Sequence, residues 1–194
     1  MADWVRLGDR AIRFARPLVP ARALVHAVRA WPGVIDVVVA RHDVAAYFAA
    51  EPQVDPDRIT ALAELRDEDE PAREITLRAV YDGPDLDAVA RAAQLSVNEV
   101  CRLHAEAVYT VDTLGFAPGF AYLTGLAAPL RLPRRATPRP RVPAGSLAIA
   151  DAFTAVYPFD SPGGWHLIGR VVDARMFDAR GALLQLGDHV RFSP

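Results

Sequence analysis

Residues 109–170 constrain the fold more than any other part of the chain. Glycine, proline and aromatic residues recur there between short apolar runs, with arginines clustered among them. Such residues make sharp backbone corners and set rigid apolar faces beside guanidinium groups. Short apolar runs at residues 147–150, 154–157, 165–168 and 188–192 read as strands separated by tight turns. Strands of that length and spacing predict a small β-barrel rather than a helical or doubly wound domain. The same corners are expected to shape a site.

Upstream the texture differs. Residues 11–14, 34–39, 44–48 and 74–80 read as strands, and residues 20–31 and 55–65 as helices, with Pro20 suited to a first turn and Asp55 to a cap. The order β-α-β-β-α-β is that of a split βαβ, a ferredoxin-like sandwich. Residues 66–71 read as a charged, solvated connection. After the turn at Tyr81-Asp-Gly-Pro84, Asp85 is expected to cap a short helix, and Ser96 with Glu99 forms a capping box for a helix over 97–107. The fold class is α+β, with a scaffold domain over residues 1–73 and a barrel domain over 74–194 that carries the site.

Composition narrows the chemistry. All 22 basic residues are arginine, so the chain has no P-loop lysine, Schiff-base lysine or biotinyl-lysine. A formal net charge of −2 gives no general pull toward nucleic acid or acidic membranes. Cys101 is the sole cysteine, which excludes an internal disulfide and fits a reducing compartment. The opening residues lack a basic stretch followed by an apolar run, and no apolar run approaches a membrane span, so a cytoplasmic, soluble protein is expected.

Candidate chemistry sits in the second part. His104 falls on the helix over 97–107, where a hydrogen-bonded core or hinge histidine is the better reading and a catalytic base the sharper one. Cys101 reads as packing. The segment Arg131-Leu-Pro-Arg-Arg-Ala-Thr-Pro-Arg-Pro-Arg141 holds five arginines and no acid. Its prolines keep it extended, so either it is a solvated loop paired to surface acids or some arginines face a cleft and bind carboxylate or phosphate. Phe116, Pro118, Phe120, Tyr122 and Trp165 fit an apolar pocket and fit a barrel core equally well. Ser146 lacks the Gly-x-Ser-x-Gly elbow of a hydrolase triad, and the turns at 115–119 and 163–164 match no phosphate cradle.

In fixed order, Leu114-Gly-Phe-Ala-Pro-Gly-Phe120, Pro133-Arg-Arg135, Pro138-Arg139, Val142-Pro-Ala-Gly-Ser146, Tyr157-Pro158, Ser161-Pro-Gly-Gly-Trp165 and Ile168-Gly-Arg170 resemble the 5-oxoprolinase B-subunit family. That family also takes in the kinase inhibitor KipI and allophanate hydrolase subunit 1, and is related to part of the carboxyltransferase domain of urea carboxylase. The sequence departs from the family pattern at Ala121, Ala148, Asp151, Phe153 and Val171. The resemblance implies a ferredoxin-like N-terminal domain followed by a cyclophilin-like β-barrel. It implies an ATP-hydrolysing cyclic-amide hydrolase that opens 5-oxoproline to glutamate. A C-type companion chain of the same enzyme would be in direct contact, with an A-type chain for the full reaction. ATP, with Mg, would be shared with or held by a partner. On this reading Arg135 and Arg139 contact an anion and His104 supplies a proton or hydrogen bond. Phe116, Gly119, Phe120, Tyr122, Ser146 and Trp165 form the walls around substrate, and no metal is bound by the chain itself. Two other roles fit the family: a carboxyltransferase component of the urea and allophanate pathway, and a KipI-like inhibitor that docks on a histidine kinase.

Overall fold

Alternating apolar residues make strands on both sides of the helix that follows Pro20. The computed structural model describes residues 3–66 and 72–194, and the chain divides into two units, 1–71 and 72–194. In the first unit, β1 (Trp4–Arg6) and β2 (Ala11–Ala15) precede α1 (Ala21–Arg29). β3 (Val34–Val39), β4 (Asp43–Phe48) and α2 (Pro56–Ala61) follow, with a 3-10 turn at Leu62–Glu64. The four strands form an antiparallel sheet in the order β1-β2-β4-β3. Ile12, Phe14, Val44, Ala46 and Phe48 are buried on the sheet, and α1 buries Leu24 and Val28. Asp55 caps α2 as expected, its Oδ1 accepting from Asp57 N at 3.0 Å, with Pro56 in the first turn. Residues 67–71 of the predicted charged connection lie outside the described residues.

One expectation is corrected here. The strand over 74–80 does not complete a split βαβ in the first unit. The edge place beside β2 is taken by β1, a three-residue strand with too little alternation to stand out in the sequence. The strand at 74–80, β5 (Glu74–Val80), belongs to the second unit.

The second unit continues with α3 (Leu86–Ala93), α4 (Val97–Glu106), β6 (Tyr109–Leu114), β7 (Ala121–Thr124), β8 (Arg139–Val142), β9 (Ser146–Ala150) and β10 (Phe153–Val156). It ends with β11 (Ser161–Gly163), β12 (His166–Val171), β13 (Phe177–Asp178), β14 (Gly181–Ala182) and β15 (His189–Ser193). Seven strands close a barrel in the order β10-β7-β6-β15-β5-β12-β9. The β15–β5 pair is parallel and the other pairs are antiparallel. Arg73 holds that parallel seam at its start: its Nε donates to Asp188 Oδ1 at 2.9 Å and its carbonyl accepts from His189 N at 2.9 Å. The capping box of α4 is present, with Glu99 N donating to Ser96 Oγ at 3.3 Å and Ser96 N to Glu99 Oε2 at 2.8 Å.

β9 is buried along its whole length, which explains why it reads as a continuous apolar run rather than an alternating one. Successive side chains of a strand point to opposite faces. Leu147 and Ile149 join the large core with Leu77, Tyr109, Val190 and Phe192. Ala148 and Ala150 join a second cluster with Phe120, Phe153, Tyr157 and Trp165. The alanines leave room for those rings, and the second cluster underlies the candidate site. No helix among the described residues is long and apolar enough to cross a membrane.

Candidate functional site

The reversal between β6 and β7 builds one wall of a cleft. Phe120 N donates to Ala117 O at 3.0 Å, and Gly115 N donates to Phe120 O at 3.1 Å. Two corners are left-handed, Phe116 at φ +71° and Gly119 at φ +81°. Only glycine fits at 119, because a Cβ there would lie 2.7 Å from Met176 O. Phe116 bears a conformation that bulky residues avoid, and it projects outward with 61% exposure.

Phe120 is the hub of the wall. Its ring centroid lies 5.3 Å from Phe116, 5.1 Å from Tyr122, 5.3 Å from Tyr157 and 5.6 Å from Trp165, each edge-to-face. That is the arrangement the aromatic quadrupole favours. Pro162, Gly163 and Gly164 form the opposite rim of a cleft of about 70 Å³. At Gly163 a Cβ would sit 2.2 Å from the Tyr157 hydroxyl, so any side chain would displace the ring. Arg134 completes the lining, its guanidinium carbon 5.9 Å from the Trp165 centroid and its Nε 3.7 Å from Asp151 Oδ2. Asp151 itself turns the chain between β9 and β10 at φ +52°.

Behind the glycine rim lies a charged cluster. Asp85 Oδ1 accepts from Arg135 Nη1 at 2.9 Å and Arg139 Nη2 at 2.7 Å, and its Oδ2 accepts from Leu167 N at 2.7 Å. Asp85 is only 4% exposed. Burial alone would push its pKa up. The Arg139 hydrogen bond, the Leu167 amide and the charges of Arg139 and Arg135 outweigh that and hold it below the usual carboxylate range. Asp85 therefore does not cap α3, because its side chain makes no bond to the helix amides. The cluster is tied to the cleft through the backbone: Arg135 N donates to Gly164 O at 2.8 Å, and Arg139 pairs with Gly163 across β8 and β11. Two cations around one anion leave a net positive charge there.

His104 does not line the cleft. It is fully buried, with Nδ1 2.9 Å from the Tyr81 hydroxyl and Nε2 2.9 Å from Thr154 Oγ1. Thr154 Oγ1 gives its proton to Ala148 O at 3.1 Å, so it accepts from His104 Nε2–H, and Nδ1 is left to accept from Tyr81. Burial lowers the His104 pKa from 6.5 to about 3, which fixes the ring as neutral. This is the hydrogen-bonded core histidine of the two sequence readings. Cys101 packs at the margin of the large core, and burial raises its thiol pKa.

Of the residues expected to surround substrate, Phe116, Phe120, Tyr122 and Trp165 come together at the cleft. Gly119 shapes the turn without lining it. Ser146 is buried in β9, with its carbonyl accepting from Tyr157 N at 3.0 Å. Arg135 and Arg139 face Asp85 rather than the cleft. The sequence reading missed Arg134, Tyr157 and Asp85. Arg134 is one of five arginines in a row of similar neighbours, and Asp85 sits where a local cap is the ordinary expectation. Among the described residues no group of three or more His, Cys, Asp or Glu side chains is placed to hold a metal.

The family model for the carboxyltransferase domain, subdomain C and D, matches residues 10–184. The B subunit of 5-oxoprolinase from Bacillus subtilis is 37% identical, over 96% of this chain and 90% of that protein. The B subunit of 5-oxoprolinase from Haemophilus influenzae is 47% identical over 67% of this chain, a match that spans 63% of the relative. Among solved structures, TTHA0988 superposes with a TM-score of 0.76 at 35% identity, over 95% of this chain and 39% of that one. The Kluyveromyces lactis urea carboxylase shares the fold, with a TM-score of 0.73 at 17% identity over 100% of this chain and 22% of its own. The chain belongs to the carboxyltransferase-domain subdomain C and D family and, within it, to the 5-oxoprolinase B-subunit group.

Proposed function

We propose that the chain acts as the B component of a multi-chain, ATP-dependent 5-oxoprolinase that opens 5-oxoproline to L-glutamate. The observation that carries this reading is the likeness to the B. subtilis protein over 90% of that protein's length. A C-type chain would be the direct companion, an A-type chain would complete the enzyme, and the assembly would work in the cytoplasm. The same relationship supports a cyclophilin-like barrel. It also supports a ferredoxin-like first unit, in a form where β1 holds the edge place of the missing fourth strand.

A lactam carbonyl is a poor electrophile, and ATP, when bound, supplies the phosphoryl group that activates the amide oxygen. A cleft of about 70 Å³ admits no nucleotide and takes only one edge of a small ring acid, the rest of which lies at the mouth beside the exposed Phe116. On this reading ATP, with Mg, is shared with or held by a companion chain. This chain's part is to hold the substrate ring on the aromatic wall, exclude water from it, and set the net positive Asp85–Arg135–Arg139 cluster behind the reacting group. Fixed charge aimed at developing negative charge is an effective catalytic device in a site poor in water.

The test is ATP hydrolysis stimulated by 5-oxoproline, measured on the co-purified complex with and without this chain. Stimulation that requires the chain is the expected result. A stable complex without stimulation would overturn the substrate, and failure to form any complex would overturn the role as a component of the enzyme. In the active complex, Arg139→Ala is expected to lower kcat by roughly a hundredfold with the size of the complex unchanged. Wild-type turnover would remove Arg139 from the mechanism.

A further inference from the structure

Four of the five arginines between residues 131 and 141 have hydrogen-bonded partners. Arg131 donates to Leu126 O at 2.9 Å, Arg135 and Arg139 to Asp85, and Arg141 Nε to Asp160 at 2.8 Å. Arg134 makes no hydrogen bond to any described residue. Its one ionic neighbour is Asp151, at 3.7 Å, with the two side chains 59% and 47% exposed. An ion pair that long and that wet is worth little and yields readily to a better partner. The Arg134 guanidinium nevertheless stands over Trp165 at the mouth of the cleft, 5.9 Å from the ring centroid, in the range where a cation is held by an aromatic face.

We infer that Arg134 is the specificity-determining residue of the cleft, recognising the carboxylate of a small ring acid whose apolar body rests on Phe116 and Tyr122 at the mouth. Asp151 holds the guanidinium in place until that carboxylate replaces it. The inference rests on the reading of the cleft as the 5-oxoproline site and adds the group that tells an acid from a neutral lactam. Arginine suits the task because its planar fork meets a carboxylate with two parallel N–H donors. The glycine rim leaves the approach open, and Phe116, held outward by its left-handed backbone, walls the other side.

The test compares wild type, Arg134→Gln, Arg134→Lys and Asp151→Asn in the co-purified complex. Arg134→Gln is expected to raise KM for 5-oxoproline roughly tenfold or more with kcat little changed, the pattern of lost uniform binding. It should also shrink the preference for 5-oxoproline over 2-pyrrolidinone, which lacks the carboxylate. Arg134→Lys should recover part of the loss, and Asp151→Asn should lower KM. An unchanged KM and preference in Arg134→Gln would overturn the inference while leaving the chain's role in the enzyme intact. If the wild-type complex ignores 5-oxoproline, the functional reading has failed. The inference is then decided on the full chain by NMR, titrating 5-oxoproline and following the Trp165 indole N–H, assigned through Trp165→Phe. A shift in wild type that is lost in Arg134→Gln upholds it, and no shift in wild type overturns it.

Discussion

At the scale of single residues, what separates side chains held fixed by the fold from one left open to a ligand is whether their partners are already in place. Asp85 has all of its partners. Asp85→Asn keeps the shape and an acceptor for Leu167 N but leaves Arg135 and Arg139 facing each other without the charge between them. It should cost about 2–3 kcal/mol in urea unfolding, and Asp85→Ala should cost more because the Leu167 amide is then orphaned as well. His104 is likewise complete, and its burial has a consequence in pH. Its pKa in the folded chain is about 3 against an ordinary 6.5, so below pH 6.5 the unfolded chain binds the extra proton. Its contribution is thus full above pH 6.5 and declines as pH falls toward 3, with a limiting slope of about 1.4 kcal/mol per pH unit. The melting temperature should fall between pH 6 and pH 4. His104→Gln, though less stable at pH 7, should show a flatter decline. An equal slope in the two proteins would remove His104 as the titrating group. The sequence offered both readings of His104, and only burial distinguishes them.

At the scale of elements, local bonds were legible and distant ones were not. Asp55 and Ser96 cap their helices through bonds two and three residues away, so the cap is written in consecutive residues. Asp85 looks the same locally but bonds to residues 50 and 54 positions on, which no local pattern reveals. The turn between β6 and β7 makes a parallel case among glycines. Gly119→Ala places a methyl group 2.7 Å from Met176 O at φ +81° and should destabilise the barrel by about 2 kcal/mol or more. Gly115→Ala, in the same turn, meets nothing within 4 Å, and should stay within about 0.5 kcal/mol. Thermal melts of the two variants check the pair, and equal losses would show that the turn does not need the Gly119 conformation.

At the scale of the whole molecule, every strand of the barrel lies within residues 72–194. That segment expressed alone should give a dispersed NMR spectrum, and removing residues 187–194 should abolish the dispersion because β15 fills the place between β5 and β6 and its loss opens the barrel. A dispersed spectrum from the shortened segment would show that closure is not what holds the unit together. The sequence by itself determined a barrel after a smaller sheet-and-helix unit, the caps of α2 and α4, and the family, and it offered four of the cleft's aromatic residues as candidates. Those features depend on residue type, on spacing of two to four positions, and on motifs in a fixed order. Tertiary structure alone decided that β5 closes the barrel against β12 and β15. It also decided that Arg135 and Arg139 serve Asp85 while Arg134 is left at the cleft, and that His104 is sealed in the core. Strand pairing and charge pairing are settled by which distant segments meet when the apolar faces are buried. Neighbouring arginines carry the same charge in the sequence, and they acquire different roles only through the partners that burial brings to each.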